Sequence, residues 1–438
     1  MLLPMLLLST AGLGRTETVL GVYIFQRHGD RTPKVLAPAQ LTDLGYAQMF
    51  LTGNYFRERY VSAGSSRRIS GVSTDFVELG QLAASAPDDD VIQTSGLAFL
   101  QGLYPPVGST MATETLRNGS SVLAPLNGYQ LIPIQTLQAG QDSENNPWLQ
   151  STTSCSKAVI SSNNFFSSAE YQSLLSSTKQ FILTDAVMQE PLGLANSHEF
   201  NLAYNASDPI RAIAGKSLAG QVLTALNETV MSPRSALKVN IQFGSYATFL
   251  SYFGLVSLPL EDGSFYGMPD YASSMVWELV TNATTSDEAV PSASDIKVRF
   301  LFHNGTSETG ATDLQPYPLF NQGVVEIPWS DFVDSTSNFA VSTQQQWCEV
   351  CGDSTGACAS VAQPTPSIQQ SSSSGGMSLA VAGVIGAVVT LAVIVGLASL
   401  IMLIFGIRPV RKSRGKVAGN RMSGRSVDSV QDEKVEAA

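Results

Sequence analysis

The apolar run Val19–Phe25 (VLGVYIF) leads into a basic turn, Arg27–Pro33 (RHGDRTP). A continuous apolar run of this length that ends in a turn is typical of a strand buried on both faces of a sheet. Open α/β sheets keep their ligand sites at the carboxyl ends of such strands. The sequence therefore predicts an imidazole and two guanidinium groups at that end of the sheet.

The residue types in this turn suit a tetrahedral phosphate. The guanidinium groups of Arg27 and Arg31 are fixed forks of donors that match phosphate oxygens, and the imidazole of His28 can attack phosphorus. Gly29 allows the chain to turn sharply, and Pro33 stiffens the exit from the turn. The turn predicts a phosphate site, and a basic surface turn is the alternative.

The order RHGxRxP in Arg27–Pro33 resembles that of the histidine acid phosphatase family, which includes acid phosphatases and phytases. Leu41–Gln48 (LTDLGYAQ) resembles the LTxxGxxQ segment of the family's first helix, and Thr42 is a suitable N-cap for it. Ser95–Pro106 (SGLAFLQGLYPP) resembles a second landmark of the family, a helix that ends in an aromatic-Pro-Pro turn. The resemblance thus extends beyond the first motif.

The resemblance implies an α/β fold of the phosphoglycerate mutase type, with a central sheet and flanking helices. It also implies a smaller, mostly helical lobe, from about residue 112 to 235, that caps the sheet. The later matching segments are a core strand at Ala236–Phe243, a helix at Tyr246–Leu255, the YAS…EL segment at Pro269–Leu279, a strand and turn at Val298–Gly305 and a late edge strand at Val325–Phe332.

By the same resemblance the reaction is hydrolysis of a phosphomonoester in two steps. His28 would form a phosphohistidine while Arg27 and Arg31 bind the phosphate, with no cofactor and no metal. Two parts of the family's site are missing. Val91 stands where the family has a third phosphate-binding arginine, and Gln242–Ser245 holds no His-Asp pair, whose aspartic acid protonates the leaving group in the family.

The chain offers few substitutes for the missing acid, and losing a general acid typically costs 10²–10⁴ in rate. Of its three histidines, His198 forms a pair with Glu199 in the predicted cap lobe, and a structural role is expected for His303. Asp208 or Arg211 could also reach the pocket from the cap. Three functions stay open: a cell-surface phosphatase, a catalytically impaired pseudophosphatase that binds phosphate-bearing ligands, and a structural surface glycoprotein.

Charge is distributed unevenly along the 438 residues, whose formal net charge is −11. The segment from Arg408 onward has eight Lys or Arg against four Asp or Glu, a net of +4, which leaves −15 on the rest. An acidic body argues against nucleic acid as a partner. The expected partners are a phosphate-bearing small molecule and a membrane.

The two ends of the chain predict a single-pass type I membrane protein. Residues 1–14 resemble a signal peptide, although a short apolar strand is the alternative. Residues 377–407 are uncharged and exceed the ~20 residues that cross a bilayer, and a buried core helix is the alternative. The basic segment 408–438 would then lie in the cytoplasm. Residues 15–363 would form the ectodomain, and residues 364–376 a stalk rich in Ser, Pro and Gln.

Glycosylation and disulfide signals agree with export, because all of them precede residue 377. The four cysteines predict two disulfides with three possible connectivities, while a redox or metal role for the Cys-x-x-Cys pair is the alternative. The cysteines are Cys155, Cys348, Cys351 and Cys358. Candidate N-glycosylation sites are Asn118, Asn205, Asn227, Asn282 and Asn304.

Overall fold

A computed structural model describes most of the predicted ectodomain. The chain divides into one unit at Met1–Pro364 and another at Thr365–Ala438. The predicted signal peptide, stalk, transmembrane segment and cytoplasmic tail lie outside the described residues. None of the described helices combines the length and the apolar composition needed to cross a bilayer. The described residues are 17–33, 37–137, 155–166, 189–232, 237–283, 291–307, 310–311 and 313–359.

A mixed sheet forms the centre of the first unit, in the strand order β11-β8-β7-β1-β6-β2-β5, with β12 also paired to β8. The strands β6, β2 and β5 run parallel to β1, whereas β7 is antiparallel to it. Two short hairpins, β3–β4 and β9–β10, lie apart from this sheet. The strands are β1 Thr18–Arg27, β2 Leu82–Pro87, β3 Thr113–Thr115, β4 Ser121–Leu123, β5 Ile134–Leu137, β6 Val239–Gly244, β7 Ser274–Thr281, β8 Ile296–His303, β9 Thr306–Ser307, β10 Gly310–Ala311, β11 Gln315–Tyr317 and β12 Glu326–Pro328.

Helices flank the central sheet, as predicted. Thr42 is the N-cap of the first helix, and its hydroxyl accepts a hydrogen bond from the backbone N–H of Gly45. The helices are α1 Asp43–Tyr60, α2 Asp90–Leu103, the short turn α3 Pro125–Gly128, α4 Ser156–Phe166, α5 Gln189–Ala203, α6 Ile213–Met231, α7 Tyr246–Leu255, the short α8 Leu258–Glu261, α9 Trp329–Ser337 and α10 Gln344–Cys351.

The apolar residues of β1 are divided between two hydrophobic cores. Val22 and Ile24 pack in the core that α1 and α2 cover, whereas Tyr23 and Phe25 pack in the core shared with α5, α6 and α7. This arrangement explains why β1 has no polar face in its sequence, as expected for a strand covered on both sides. The strand is therefore a rigid support for the turn that follows it.

The two predicted disulfides are present, and they join Cys155 to Cys351 and Cys348 to Cys358. Cys348 and Cys351 are therefore not partners of each other. All four cysteines lie in a small third cluster with Trp347, in which α10 packs beside α4. The first disulfide connects segments 196 residues apart in the sequence.

Two segments differ from the sequence-based expectation. Only Glu326–Pro328 of the predicted edge strand Val325–Phe332 is extended, and α9 begins at Trp329. Proline cannot donate to the sheet ladder, so Pro328 ends the strand. Within the predicted cap lobe, β5 is a strand of the central sheet, and α6 packs against the sheet through its apolar face. The segment 112–235 thus contributes to the sheet layer as well.

Candidate active site

The basic turn begins at the end of β1, between the neighbouring ends of β6 and β7. The backbone N–H of Arg27 donates to Ser273 O on the β7 side at 2.9 Å. The N–H of His28 donates to Gly244 O at the end of β6, at 3.3 Å. The predicted position of the turn, at the carboxyl end of the central strand, is the observed one.

Helix α1 packs directly on this turn. A Cβ at Gly29 would lie 2.4 Å from Gly45 O, and a Cβ at Gly45 would lie 2.0 Å from Asp30 O, so both positions need glycine for the close approach. The carboxylate of Asp30 accepts from the Thr42 hydroxyl at 2.6 Å, and the Asp30 N–H donates to Gln48 Oε1 at 2.9 Å. The Thr, Gly and Gln of the LTxxGxxQ segment therefore all hold the turn.

Arg27 is buried and contacts two aromatic rings. Its Cζ lies 4.5 Å from the ring centroid of Tyr271 and 5.2 Å from that of Tyr246. One terminal nitrogen donates to Pro269 O. Burial lowers the pKa of Arg27 to about 10, although Tyr271, Tyr246 and Asp270 act in the opposite direction. The side chain therefore remains a cation at neutral and acid pH.

The two arginines share a feature that points to an anion. The Nε atoms of Arg27 and Arg31 are buried and have no hydrogen-bond partner among the described residues. Arg31 uses one terminal nitrogen to donate to Thr32 O at 3.0 Å. A buried donor left unsatisfied costs about 1–3 kcal/mol, and anion oxygens between the arginines would remove that cost.

His28 is 4% exposed. Its Nδ1 lies 2.8 Å from Gly29 O, and a bond donated there assigns the proton to Nδ1 and the lone pair to Nε2. The ring lies 5.5 Å from that of Tyr271, between centroids. In this tautomer Nε2 carries the lone pair that nucleophilic attack requires.

The loop before β7 forms one wall of the site. It supplies Pro269 O and the Tyr271 ring, and the N–H of Ala272 donates to His28 O at 3.0 Å. Ala272 has a φ of +60°, in the left-handed region that disfavours residues with a Cβ. Sequence reasoning matched this segment to the family but did not identify these contacts. Tyr271, the first residue of the matched YAS tripeptide, was the available signal.

The position of the third arginine is occupied by a buried valine. Val91 lies in the first turn of α2 and is 5% exposed. Asp89 caps this helix by accepting from the N–H of Ile92 at 3.0 Å. Ser95, one turn further on, accepts from the N–H of Gly29 at 3.2 Å. Helix α2 therefore contacts the turn through Ser95, and the position of the third arginine provides no cation.

The junction after β6 offers a tyrosine in place of a His-Asp pair. Tyr246 begins α7, and its hydroxyl donates to Glu199 Oε2 at 2.8 Å. The other oxygen of Glu199 lies 3.1 Å from Nδ1 of His198. The structure thus brings a carboxyl group from α5 to a ring that lies over Arg27. The separation of 47 residues left no local sequence signal for this contact.

The remaining candidates lie elsewhere. The guanidinium of Arg211 donates to Ser161 Oγ at 2.7 Å and to Asn201 O at 2.9 Å, and Asp208 also contacts Ser161. These bonds tie α4 to α5. His303 is buried, with Nε2 at 2.8 Å from the Ser274 hydroxyl, and burial lowers its pKa to about 4.

A buried histidine flanked in sequence by two arginines at the end of a central α/β strand suits covalent phosphoryl transfer. A sequence model of the histidine phosphatase superfamily (branch 2) matches residues 35–183 of this chain. The match supports the family predicted from the basic turn. At the level of reaction class, the match supports hydrolysis of phosphomonoesters.

Several solved structures are similar to this chain. The phytase of Klebsiella sp ASR1 is 13% identical, with a TM-score of 0.46 and coverage of 75% of this chain and 96% of its own. The phytase of D. castellii is 11% identical, with a TM-score of 0.45 and coverage of 80% and 84%. The multiple inositol polyphosphate phosphatase of Bifidobacterium longum, in complex with phosphate, is 9% identical, with a TM-score of 0.37 and coverage of 77% and 96%. No curated protein matches the sequence.

Proposed function

We propose that this protein is a phosphomonoesterase that acts through a phosphohistidine at His28. The observation that carries the proposal is the pair of buried Nε donors of Arg27 and Arg31, which flank the histidine in sequence and have no hydrogen-bond partner in the part of the chain that the structure describes. The low exposure of His28 also supports it, because a dry site strengthens the attraction between guanidinium and phosphate.

The reaction has two balanced steps. In the first, Nε2 of His28 forms a bond to phosphorus, the phosphorus–ester oxygen bond breaks, and the departing oxygen takes a proton from a general acid. In the second, water attacks phosphorus and gives a proton back to that group, the nitrogen–phosphorus bond breaks, and inorganic phosphate is released. Arg27 and Arg31 stabilise the charge on the non-bridging oxygens in both steps.

Kinetics of the full-length protein test this proposal. We expect wild type to hydrolyse p-nitrophenyl phosphate between pH 3 and pH 7, and His28→Ala to lose that activity. Labelled substrate quenched in alkali, in which phosphohistidine survives, should leave label on wild type only. Arg68→Ala is the control, since Arg68 is exposed and outside the site. A wild type no faster than His28→Ala would rule out the enzyme.

A binding protein without turnover is the second candidate, and the buried Val91 and the missing His-Asp pair favour it. In that case phosphate or vanadate should raise the melting temperature of wild type although no label is transferred. Arg27→Ala should abolish the rise, and Arg68→Ala should keep it. Equal rises in wild type and Arg27→Ala would contradict the arginine site, and no rise in any variant would leave a structural glycoprotein.

We further propose that the protein is anchored in a membrane with residues 15–363 outside the cell or in the secretory lumen. The uncharged segment 377–407 and the basic residues after it support this orientation. Four of the five sequon asparagines are exposed, and Asn205 is half-buried. Endoglycosidase should shift the mobility of the mature protein, and protease added to sealed vesicles should remove only the segment 408–438. A fully digested chain would contradict this orientation.

A further inference from the structure

A carboxyl group reaches the candidate active site from a helix that the sequence did not connect with it. One residue separates Tyr246 from the end of β6, and its ring lies over the guanidinium of Arg27. Its hydroxyl donates to Glu199 on α5. The resemblance implies an acid just after β6. In this chain Tyr246 occupies that place, and its hydroxyl is hydrogen-bonded to Glu199.

Packing fixes the position of Glu199. Glu199 and Phe200 lie three and four residues after Asn196, so both lie near the face of α5 that carries Asn196. Asn196 Oδ1 accepts from the N–H of Met268, next to the site wall, at 3.1 Å. The Phe200 ring is buried and lies 4.8 Å from that of Tyr266. The contacts of Asn196 and Phe200 thus hold this part of α5 in place. The side chain of Glu199 remains 25% exposed.

Arg27 contacts two aromatic rings, and each ring leads to a different functional group. Tyr271 is the ring beside His28, and Tyr246 is the ring bonded to Glu199. A phosphoryl group bound by Arg27 would therefore lie near the ring that contacts the nucleophile and near the ring that holds the carboxyl group. In-line phosphoryl transfer needs its nucleophile and its leaving group on opposite sides of phosphorus.

We propose that Glu199 is the proton donor for the leaving group and that Tyr246 is a positioning residue that orients it. The inference rests on the proposed phosphatase function. As the phosphorus–ester oxygen bond breaks, Glu199 transfers its proton to the departing oxygen and becomes a carboxylate. In the second step the carboxylate takes a proton from the attacking water, so that the cycle ends with both groups in their starting forms.

The leaving group decides how much a proton donor contributes. An alkoxide needs a proton to depart, whereas p-nitrophenolate is stable enough to leave without one. The informative quantity is the single-turnover rate of His28 phosphorylation, since this rate excludes the later water step. It is measured with the full-length protein in excess over labelled methyl phosphate or p-nitrophenyl phosphate.

We expect Glu199→Gln to slow phosphorylation by methyl phosphate by 10²–10⁴ and to slow phosphorylation by p-nitrophenyl phosphate far less. Tyr246→Phe keeps the ring over Arg27 and should show the same preference with a smaller loss. Glu261→Gln, at an exposed glutamate of α8, should phosphorylate like wild type with both substrates. The vanadate-induced rise in melting temperature should be kept in Glu199→Gln, which shows that the variant is folded with an intact phosphate site.

Two results would overturn the inference and leave the phosphatase standing. They are equal losses on both substrates, and no loss on methyl phosphate. A wild type that forms no phosphohistidine from either substrate would overturn the proposed function, and this inference with it. The amount of phosphohistidine in wild type separates the two failures.

Discussion

Two arginines buried to a similar extent in the same sheet have opposite surroundings. Arg27, at the end of β1, is 9% exposed, and Arg299, in β8, is 7% exposed. Arg299 pairs with Glu17, Glu278 and Glu326. Arg27 has two aromatic rings, one backbone carbonyl and an unpartnered Nε, and pairs with no carboxylate among the described residues.

The pKa directions follow from these surroundings. Burial acts to lower the pKa of both arginines, but at Arg299 the bonds to Glu17 and Glu326 outweigh burial and the pKa is raised. At Arg27 burial prevails, and the pKa falls to about 10. A buried cation paired with carboxylates, like Arg299, is neutralised within the fold, whereas the unpaired donors of Arg27 favour an anionic ligand. The comparison therefore supports the proposed binding role of Arg27 without reference to any relative.

Removing the carboxylate at the centre of the paired region should have the largest effect. Glu278 is fully buried and accepts from Arg59, Tyr60 and Arg299. We expect Glu278→Gln to lower the free energy of unfolding by about 3–5 kcal/mol, because it removes the buried carboxylate that Arg59 and Arg299 share. Urea unfolding at pH 7 measures this loss.

The matching change at the other arginine should behave differently. Arg27→Met removes a cation that has one neutral hydrogen bond, so we expect its free energy of unfolding to stay within about 1 kcal/mol of wild type. Glu261→Gln controls for the loss of an exposed carboxylate. Comparable destabilisation by Glu278→Gln and Arg27→Met would contradict the distinction between the two regions.

The next effect concerns β7, which carries Glu278 and, at its site end, Ser274 bonded to His303. Burial lowers the pKa of His303 to about 4, from 6.5 in the unfolded chain. Below pH 6.5 the unfolded chain binds a proton that the folded protein does not bind until about pH 4. Stability is therefore lost as the pH falls through this window, by about 3 kcal/mol in total.

We expect His303→Gln to flatten this dependence. Its free energy of unfolding at pH 7 can be lower than that of wild type, because bonds to Ser274 and Gly305 O change. The diagnostic quantity is the difference between pH 7 and pH 4, which should be smaller than in wild type by about 3 kcal/mol. Parallel pH curves for the two proteins would show that His303 does not carry the effect.

Features specified by neighbouring residues could be predicted from the sequence. The apolar run of β1, the basic turn and the N-cap Thr42 each have a local signature, and all three are in the predicted places. The resemblance to the family follows from the turn. The predicted extent of the strand at Val325–Phe332 was wrong, because Pro328 ends the strand and α9 begins at Trp329.

The surroundings of Arg27 and Arg299 could not be predicted, because they depend on residues far apart in the sequence. Glu17 lies 282 residues from Arg299, and Pro269 lies 242 residues from Arg27. The sequence shows which residues carry charge, but it does not show which charged residues contact each other. The same limit applies to the contact between Tyr246 and Glu199, each of which looks unremarkable in its own segment.

The smallest expected effect concerns α1, which packs on the basic turn. It tests whether α1 affects anion binding as well as the stability of the fold. Thr42 caps α1 and also donates to the Asp30 carboxylate inside the turn. Thr343 caps α10 in the disulfide region with the same side-chain bond, and no hydrogen bond between described residues joins it to the turn. The two threonines form a matched pair, since losing a cap typically costs about 1 kcal/mol in either helix.

We expect Thr42→Ala and Thr343→Ala to lower the free energy of unfolding by similar amounts, about 1 kcal/mol each. Only Thr42→Ala should weaken the vanadate-induced rise in melting temperature, because Asp30 lies between His28 and Arg31 and loses its side-chain anchor. If both variants keep the full rise, α1 supports the turn through the contact of Gly29 with Gly45 and the bond from Asp30 N–H to Gln48, and not through Thr42. If both lose it, general stability and not the Thr42–Asp30 bond governs anion binding.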